Sequence, residues 1–226
     1  MDYIFNNFGE VSSRLFQHLQ LTAYSLIIAL IIALPLGLLI SRVKPLSTPI
    51  LALLGIIYTM PSLALFAMLV PFLGLGFVPA ISVLVAYSQL SLVRNVALGF
   101  DQIDPAIKEA ARGMGMSGWQ RLWMVELPLA LPIIVAGIRI AALLIIGIGT
   151  IAAWIGAGGL GQLLLNGVGE RNNDKILAGA VMIALLSISV DLLFRLLERL
   201  ATPSAGLKPG TQIRADEFAT QDTAVG

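Results

Sequence analysis

No Asp, Glu, Lys or Arg occurs between Lys44 and Arg94, a run of 49 residues. Two further charge-free runs cover 15–41 and 140–169. A helix crosses the hydrocarbon of a bilayer with about 20 apolar residues, so the longest run holds two spans. Soluble domains carry about 25% charged residues, and this chain carries 12%, with 58% apolar residues and a mean hydropathy of +0.91. In lipid every backbone N–H and C=O must be bonded within the protein, which long apolar segments achieve as helices. The sequence therefore predicts an all-α, polytopic membrane helix bundle of about five transmembrane helices.

Residues 1–18 alternate Ile4, Phe5, Phe8, Val11, Leu15 and Phe16 with polar groups at helical spacing, which predicts an interfacial N-terminal helix. They lack the basic start of a cleaved signal peptide, so the first span is expected to be retained. His18 reads as a polar residue at a span's edge, since one ligand makes no metal site. The first span is expected over about 21–41, ended by Arg42, Lys44 and Pro45. The second carries Pro61 inside Tyr58-Thr59-Met60-Pro61-Ser62. A proline removes a backbone hydrogen bond and kinks a helix, and a break lined by hydroxyls belongs against protein or a cavity. Tyr58, Thr59, Pro61 and Ser62 read either as a packing kink or as part of a translocation pathway.

Pro71, Gly74, Gly76 and Pro79 mark a turn. The third span is expected from Phe77 to about Val93, closed by Arg94 and Asn95, with Ser82, Ser88, Gln89 and Ser91 facing the bundle. The fourth starts near Pro128 and Pro132 and ends at Trp154. Arg139 is placed at its cytoplasmic edge, where a long arginine snorkels to headgroups; a deeper position is the alternative. Gly156–Gly161 is an irregular, close-packing segment. Residues 162–175 read as a polar connection, and the last span as 176–197. Asp191 there reads as an i,i+4 pair with Arg195, in preference to a proton relay. The tail 201–226 is rich in Pro, Gly, Ser and Thr and is expected to be disordered.

One long polar stretch interrupts these spans: DPAIKEAARGMGMSGWQRLWMVELP, residues 104–128. Asp104 is a helix N-cap and Pro105 stands at the first helical position. Gly113 and Gly115 are expected to stop that helix by adopting positive φ. Ser117 and Gln120 have capping-box spacing, so a second short helix is expected from there to Leu127, closed by Pro128.

Glu109-Ala110-Ala111, three residues, Gly115, nine residues, then Val125-Glu126-Leu127-Pro128 resembles the EAA loop of ABC importer permeases, with Val125 in place of isoleucine. An ordinary amphipathic hairpin and a DNA-binding helix-turn-helix are the other readings; the apolar spans on both sides argue against nucleic acid. Thr59–Ala64, Pro128–Pro132, Ala136–Arg139 and Gly156–Gly161 look like permeases for glycine betaine, choline and related osmoprotectants, and methionine or other amino-acid permeases share parts of them. The resemblance implies a type I ABC importer permease fold over 19–200. It also implies two ATPase subunits, an external substrate-binding protein, and a second permease chain, identical or homologous. By the same carry-over Glu109, Ala110, Ala111 and Gly115 dock the ATPase.

The chain lacks the means to power transport itself. No Lys follows a glycine-rich phosphate loop, one histidine excludes H-E-x-x-H, and no G-x-S-x-G elbow is present. Cysteine is absent, which excludes disulfides and thiolate metal sites. No cofactor is expected. A secondary transporter would need intramembrane acids and an inverted repeat, and neither is evident. With the N-terminus outside, ten of the basic residues fall inside and three outside, Arg139 being left within the fourth span. That satisfies the positive-inside rule and puts 104–128 in the cytoplasm, and the resemblance implies the inner membrane of a prokaryotic cell.

Overall fold

The computed structural model describes residues 2–201. Among them there are helices and connections and no strand: α1 (Asp2–Asn6), α2 (Phe8–Arg42), α3 (Lys44–Thr59), α4 (Ser62–Leu73), α5 (Phe77–Asp101), α6 (Pro105–Gly113), α7 (Gly118–Arg121), α8 (Leu127–Ile151), α9 (Gly161–Glu170) and α10 (Asn173–Ala201). Four stretches are long and apolar enough to cross a membrane: Phe8–Arg42, Phe77–Asp101, Gly118–Ile155 and Asn173–Ala201. The pair α3–α4 makes a fifth if it is one span, bent by 93° at its break. The expected disordered tail, 202 onward, lies outside the described residues.

The first span is longer than the sequence predicts. No Gly or Pro stands between Glu10 and Leu34, so residues 8–18 continue straight into it, and the helix runs on through Pro35. At 1.5 Å per residue the rod is about 52 Å long, against a hydrocarbon layer of about 30 Å. Its inward stripe is Ser25, Ala29, Ala33 and Gly37, all buried at four-residue spacing. Small residues let backbones approach closely in a bundle. A Cβ on Gly37 would stand 2.5 Å from Val96 Cβ of α5. Across the same face Gln89 Nε2 donates to the Ala29 carbonyl at 3.2 Å.

The third and fourth spans are extended as well. α5 runs through Arg94 and Asn95 to Asp101, because a charged side chain decorates a helix without breaking its hydrogen bonds. Pro128 does not close the second hairpin helix. Leu127 N–H bonds to Leu122 O, five residues back, making a π turn over Leu122–Glu126. π turns occur as single-turn bulges within α-helices, and this one sits where Pro128 withholds its own donor. The helix then continues through Pro132 to Ile151 and a 3-10 turn at Ala152–Ile155. The connection 162–175 contains α9, whose Leu163 and Gly167 are buried; a Cβ on Gly167 would meet Ile176 of α10.

Cross-links define two ends of the bundle. Arg42 meets Glu126, and Lys44 Nζ reaches Asp101 Oδ1 at 2.6 Å, so the ends of α2 and α5 and the start of α8 lie together. At the other end Gly76 N–H donates to Ile155 O at 2.7 Å, and Lys175 Nζ lies 3.7 Å from Glu10.

Candidate functional site

The polar stretch 104–128 folds as a hairpin between the short helix α6 and the first turns of the long helical stretch Gly118–Ile155. Asp104 Oδ1 accepts from Ala106 N–H at 2.8 Å, and Pro105 opens α6. Ser117 and Gln120 close a reciprocal capping box at the start of α7. Gly115 alone makes the bend, at φ +79°; Gly113 stays helical as the last residue of α6. A side chain at Gly115 would meet nothing within 4 Å, so the requirement for glycine is conformational.

Four sequence-derived docking residues lie here, and they divide. Glu109, Ala110 and Gly115 are exposed, whereas Ala111 is buried. Ala111 therefore packs the hairpin and presents no surface to a partner. Beside the exposed set stand Met114 at 70% exposure, Trp119 at 69%, Met124 at 65% and Trp123. The Trp119 and Trp123 rings meet edge to face, 5.5 Å between centroids. Their exposure was not legible from spacing, because Trp119 and Trp123 at i,i+4 read equally well as an inward stripe. Trp119, Trp123 and Met124 open the stretch Gly118–Ile155 that is apolar enough to cross a membrane, so their exposed faces suit lipid or a partner protein.

The hairpin is tied to the bundle by ions. Glu126 is fully buried, and its carboxylate accepts from Arg42 of α2 and from Arg121 Nε of α7, the latter at 2.9 Å. The Arg42 guanidinium lies 6.0 Å from the centroid of the Phe100 ring. Lys108 Nζ donates to Phe100 O at 2.9 Å, adding a tie from α6.

The second site is the break at Pro61. α3 ends at Thr59 and α4 begins at Ser62, with Met60 and Pro61 extended between them. An unbonded carbonyl is costly away from water, and the Tyr87 hydroxyl of α5 donates to Met60 O. A cavity of about 450 Å³ opens beside the break, lined by Tyr58, Met60, Ser62, Tyr87, Leu144, Gly147 and Ile148. The Tyr58 and Tyr87 rings stand 6.0 Å apart, tilted by 56°. Of the sequence-derived pathway residues, Tyr58 and Ser62 line this space. The Thr59 hydroxyl turns back to Ile56 O at 2.8 Å, and Pro61 makes the break. Tyr87 and Gly147 come from other helices, which no local pattern could connect to Pro61.

Three polar residues have partners that their sequence reading did not name. His18 is fully buried within the bundle. Its Nε2 bonds to Ile146 O at 3.2 Å, and its Nδ1 accepts from Leu160 N–H at 3.3 Å, so the ring is neutral with its proton on Nε2. Gly159, at φ +75°, passes so close that a Cβ would stand 2.9 Å from His18 Nδ1. Arg139 lies in mid-α8, and its guanidinium reaches α10, 3.5 Å from Asp191 and 3.8 Å from Glu198. Asp191 also takes Arg195 at 2.6 Å, so the expected i,i+4 pair is part of a wider cluster.

Against known families, residues 14–202 match the binding-protein-dependent transport system inner membrane component. The chain belongs to that family. Among this permease's relatives, the Osmoprotectant import permease protein OsmW of Salmonella typhimurium is 46% identical over 206 residues, covering 89% of this chain and 96% of that protein. The Glycine betaine/carnitine/choline transport system permease protein OpuCB of Bacillus subtilis is 37% identical, covering 90% and 94%. Among solved structures, the permease is similar to a chain of the inward-facing MetNI methionine ABC transporter. The TM-score is 0.78 at 24% identity, over 86% of this chain and 97% of that one. That likeness concerns the fold alone, and it agrees with the expected all-α permease bundle.

Proposed function

We propose that this permease is the membrane subunit of an ATP-driven importer for quaternary ammonium osmoprotectants such as glycine betaine, choline and carnitine. The observation that carries the substrate class is the 46% identity, over nearly all of its length, to a protein named as an osmoprotectant import permease. ATP hydrolysis is placed on separate ATPase subunits docked against the hairpin 104–128. Glu109, Ala110 and the bend at Gly115 form the contact surface with Met114 and Trp119 beside them, and Ala111 holds the hairpin's packing. The membrane is the prokaryotic inner membrane, with the hairpin in the cytoplasm and an external binding protein delivering cargo. A second permease chain, identical or homologous, completes the pathway.

The cavity at the broken helix is the proposed passage. Tyr58 and Ser62 line it, Pro61 opens it and Thr59 shapes the end of α3. A tyrosine face attracts a quaternary ammonium group through its ring quadrupole, which suits Tyr58 to such cargo.

The test is uptake of radiolabelled glycine betaine and choline into vesicles holding the complete complex, with methionine in parallel. ATP-dependent uptake of either quaternary amine supports the reading. Uptake of methionine alone replaces it with the amino-acid alternative, which the fold of the methionine transporter accommodates equally well.

A further inference from the structure

Glu126 is the one acidic side chain among the described residues that is fully enclosed. A carboxylate withdrawn from water has to be held by cations. Its two cations come from different elements: Arg121 from the hairpin, and Arg42 from the last position of α2. Arg42 is 84 residues from Glu126 in sequence, so α2 has no short covalent route to the hairpin. Around this pair the ends of α2 and α5 are drawn together by Lys44 and Asp101, and Phe100 sits under Arg42.

We infer that Glu126 is a positioning residue: a strut that passes displacement of the hairpin to α2 through the Arg121–Glu126–Arg42 linkage. The inference rests on the proposal that the hairpin docks an ATPase. Hairpin and α2 then move as one body, because shifting either one alone would leave a buried carboxylate short of a cation. Glu126 touches neither nucleotide nor cargo, and its effect is on coupling.

The test uses the complete importer in proteoliposomes. Glu126→Gln keeps the shape and removes the charge. It should keep its ATPase subunits on purification and hydrolyse ATP, while uptake of labelled glycine betaine per ATP falls about tenfold, the scale of a typical coupling free energy. Glu126→Asp should recover part of the loss. Arg42→Gln should reproduce it, and the double variant should fall no further than either single one. A cargo-independent readout uses the cysteine-free sequence. Spin labels on Ile107→Cys, on the hairpin away from the docking contacts, and on Ile31→Cys, both exposed, report the separation of hairpin and α2. With Glu126 present, that separation should be the same without nucleotide and with ATP and vanadate; with Glu126→Gln it should shift between the two states. If Glu126→Gln is lost from the membrane, Arg42→Gln alone carries the test, because it breaks the same contact from the half-exposed partner. Unchanged uptake per ATP, or label separations alike in both backgrounds, overturns the strut and leaves docking intact. Failure of the unmutated chain to retain its ATPase overturns docking and the strut together.

Discussion

Single residues make the hairpin what it is. Gly115 holds φ +79° in open space, so any L side chain there carries a strain of roughly 1–2 kcal/mol without an internal clash. Gly115→Trp should still insert and fold, while ATP hydrolysis and cargo uptake come apart in vesicles containing the ATPase. Normal uptake by that variant would count against the docking surface. The carboxylate of Glu126 obeys a different rule. Breaking a buried ion pair costs about 3–5 kcal/mol when a charge is left enclosed. Glu126→Gln leaves two arginines: Arg42, with its side chain 40% exposed, can turn to water, while Arg121, at 16%, stays largely enclosed. Arg42→Met with Arg121→Met leaves the anion inside. Apparent melting temperatures in detergent should therefore fall in the order wild type, Glu126→Gln, then the double arginine variant. A reversed order would mean that the carboxylate is solvated. His18 is held in a similar way, its two ring nitrogens taken by Ile146 O and Leu160 N–H, partners far away in sequence.

At the scale of elements, helix ends were harder to read than helix existence. Arg94, Asn95 and Pro128 look like terminators, yet α5 and α8 run past them. Charge does not break a helix, and the π turn at Leu122–Glu126 carries the chain into Pro128 with Leu127 N–H still bonded. Pro61 went the other way: what a kink alone predicts is a bend, and the structure has a 93° break, capped by a tyrosine from another helix. Packing between elements gives a matched test. Gly37→Ala puts a methyl 2.5 Å from Val96 Cβ and should destabilise the α2–α5 contact by about 1–3 kcal/mol. Gly55→Ala in α3 meets nothing within 4 Å and should be neutral or stabilising by roughly 0.5–1 kcal/mol. Equal losses from both would mean that α2 does not pack on α5 through Gly37.

For the whole molecule, the prediction concerns sidedness. Met114→Cys would be the only thiol in an otherwise cysteine-free chain. With the chain expressed without ATPase subunits, a membrane-impermeant maleimide should label it in inside-out vesicles and not in intact cells. Phe5→Cys, on the opposite end with Glu10 and Lys175, should show the reverse. Labelling of Met114→Cys from outside would invert the bundle and remove the hairpin from any ATPase.

Charge-free runs and the spacing of 104–128 determined the class by themselves. Bilayer thickness and backbone hydrogen bonding leave a 49-residue uncharged run few alternatives to two helical spans. The caps at Asp104 and Ser117 and the bend at Gly115 were equally legible, because capping and positive φ depend on neighbours within four residues. Tertiary structure alone decided the rest. Ala111 turns inward while Glu109 turns out, Tyr87 reaches the break at Pro61, Arg139 finds α10, and Arg42 meets Glu126 across 84 residues. The last three pair a polar side chain with a partner on a distant segment, and such partners are chosen by proximity in space, which no local period encodes.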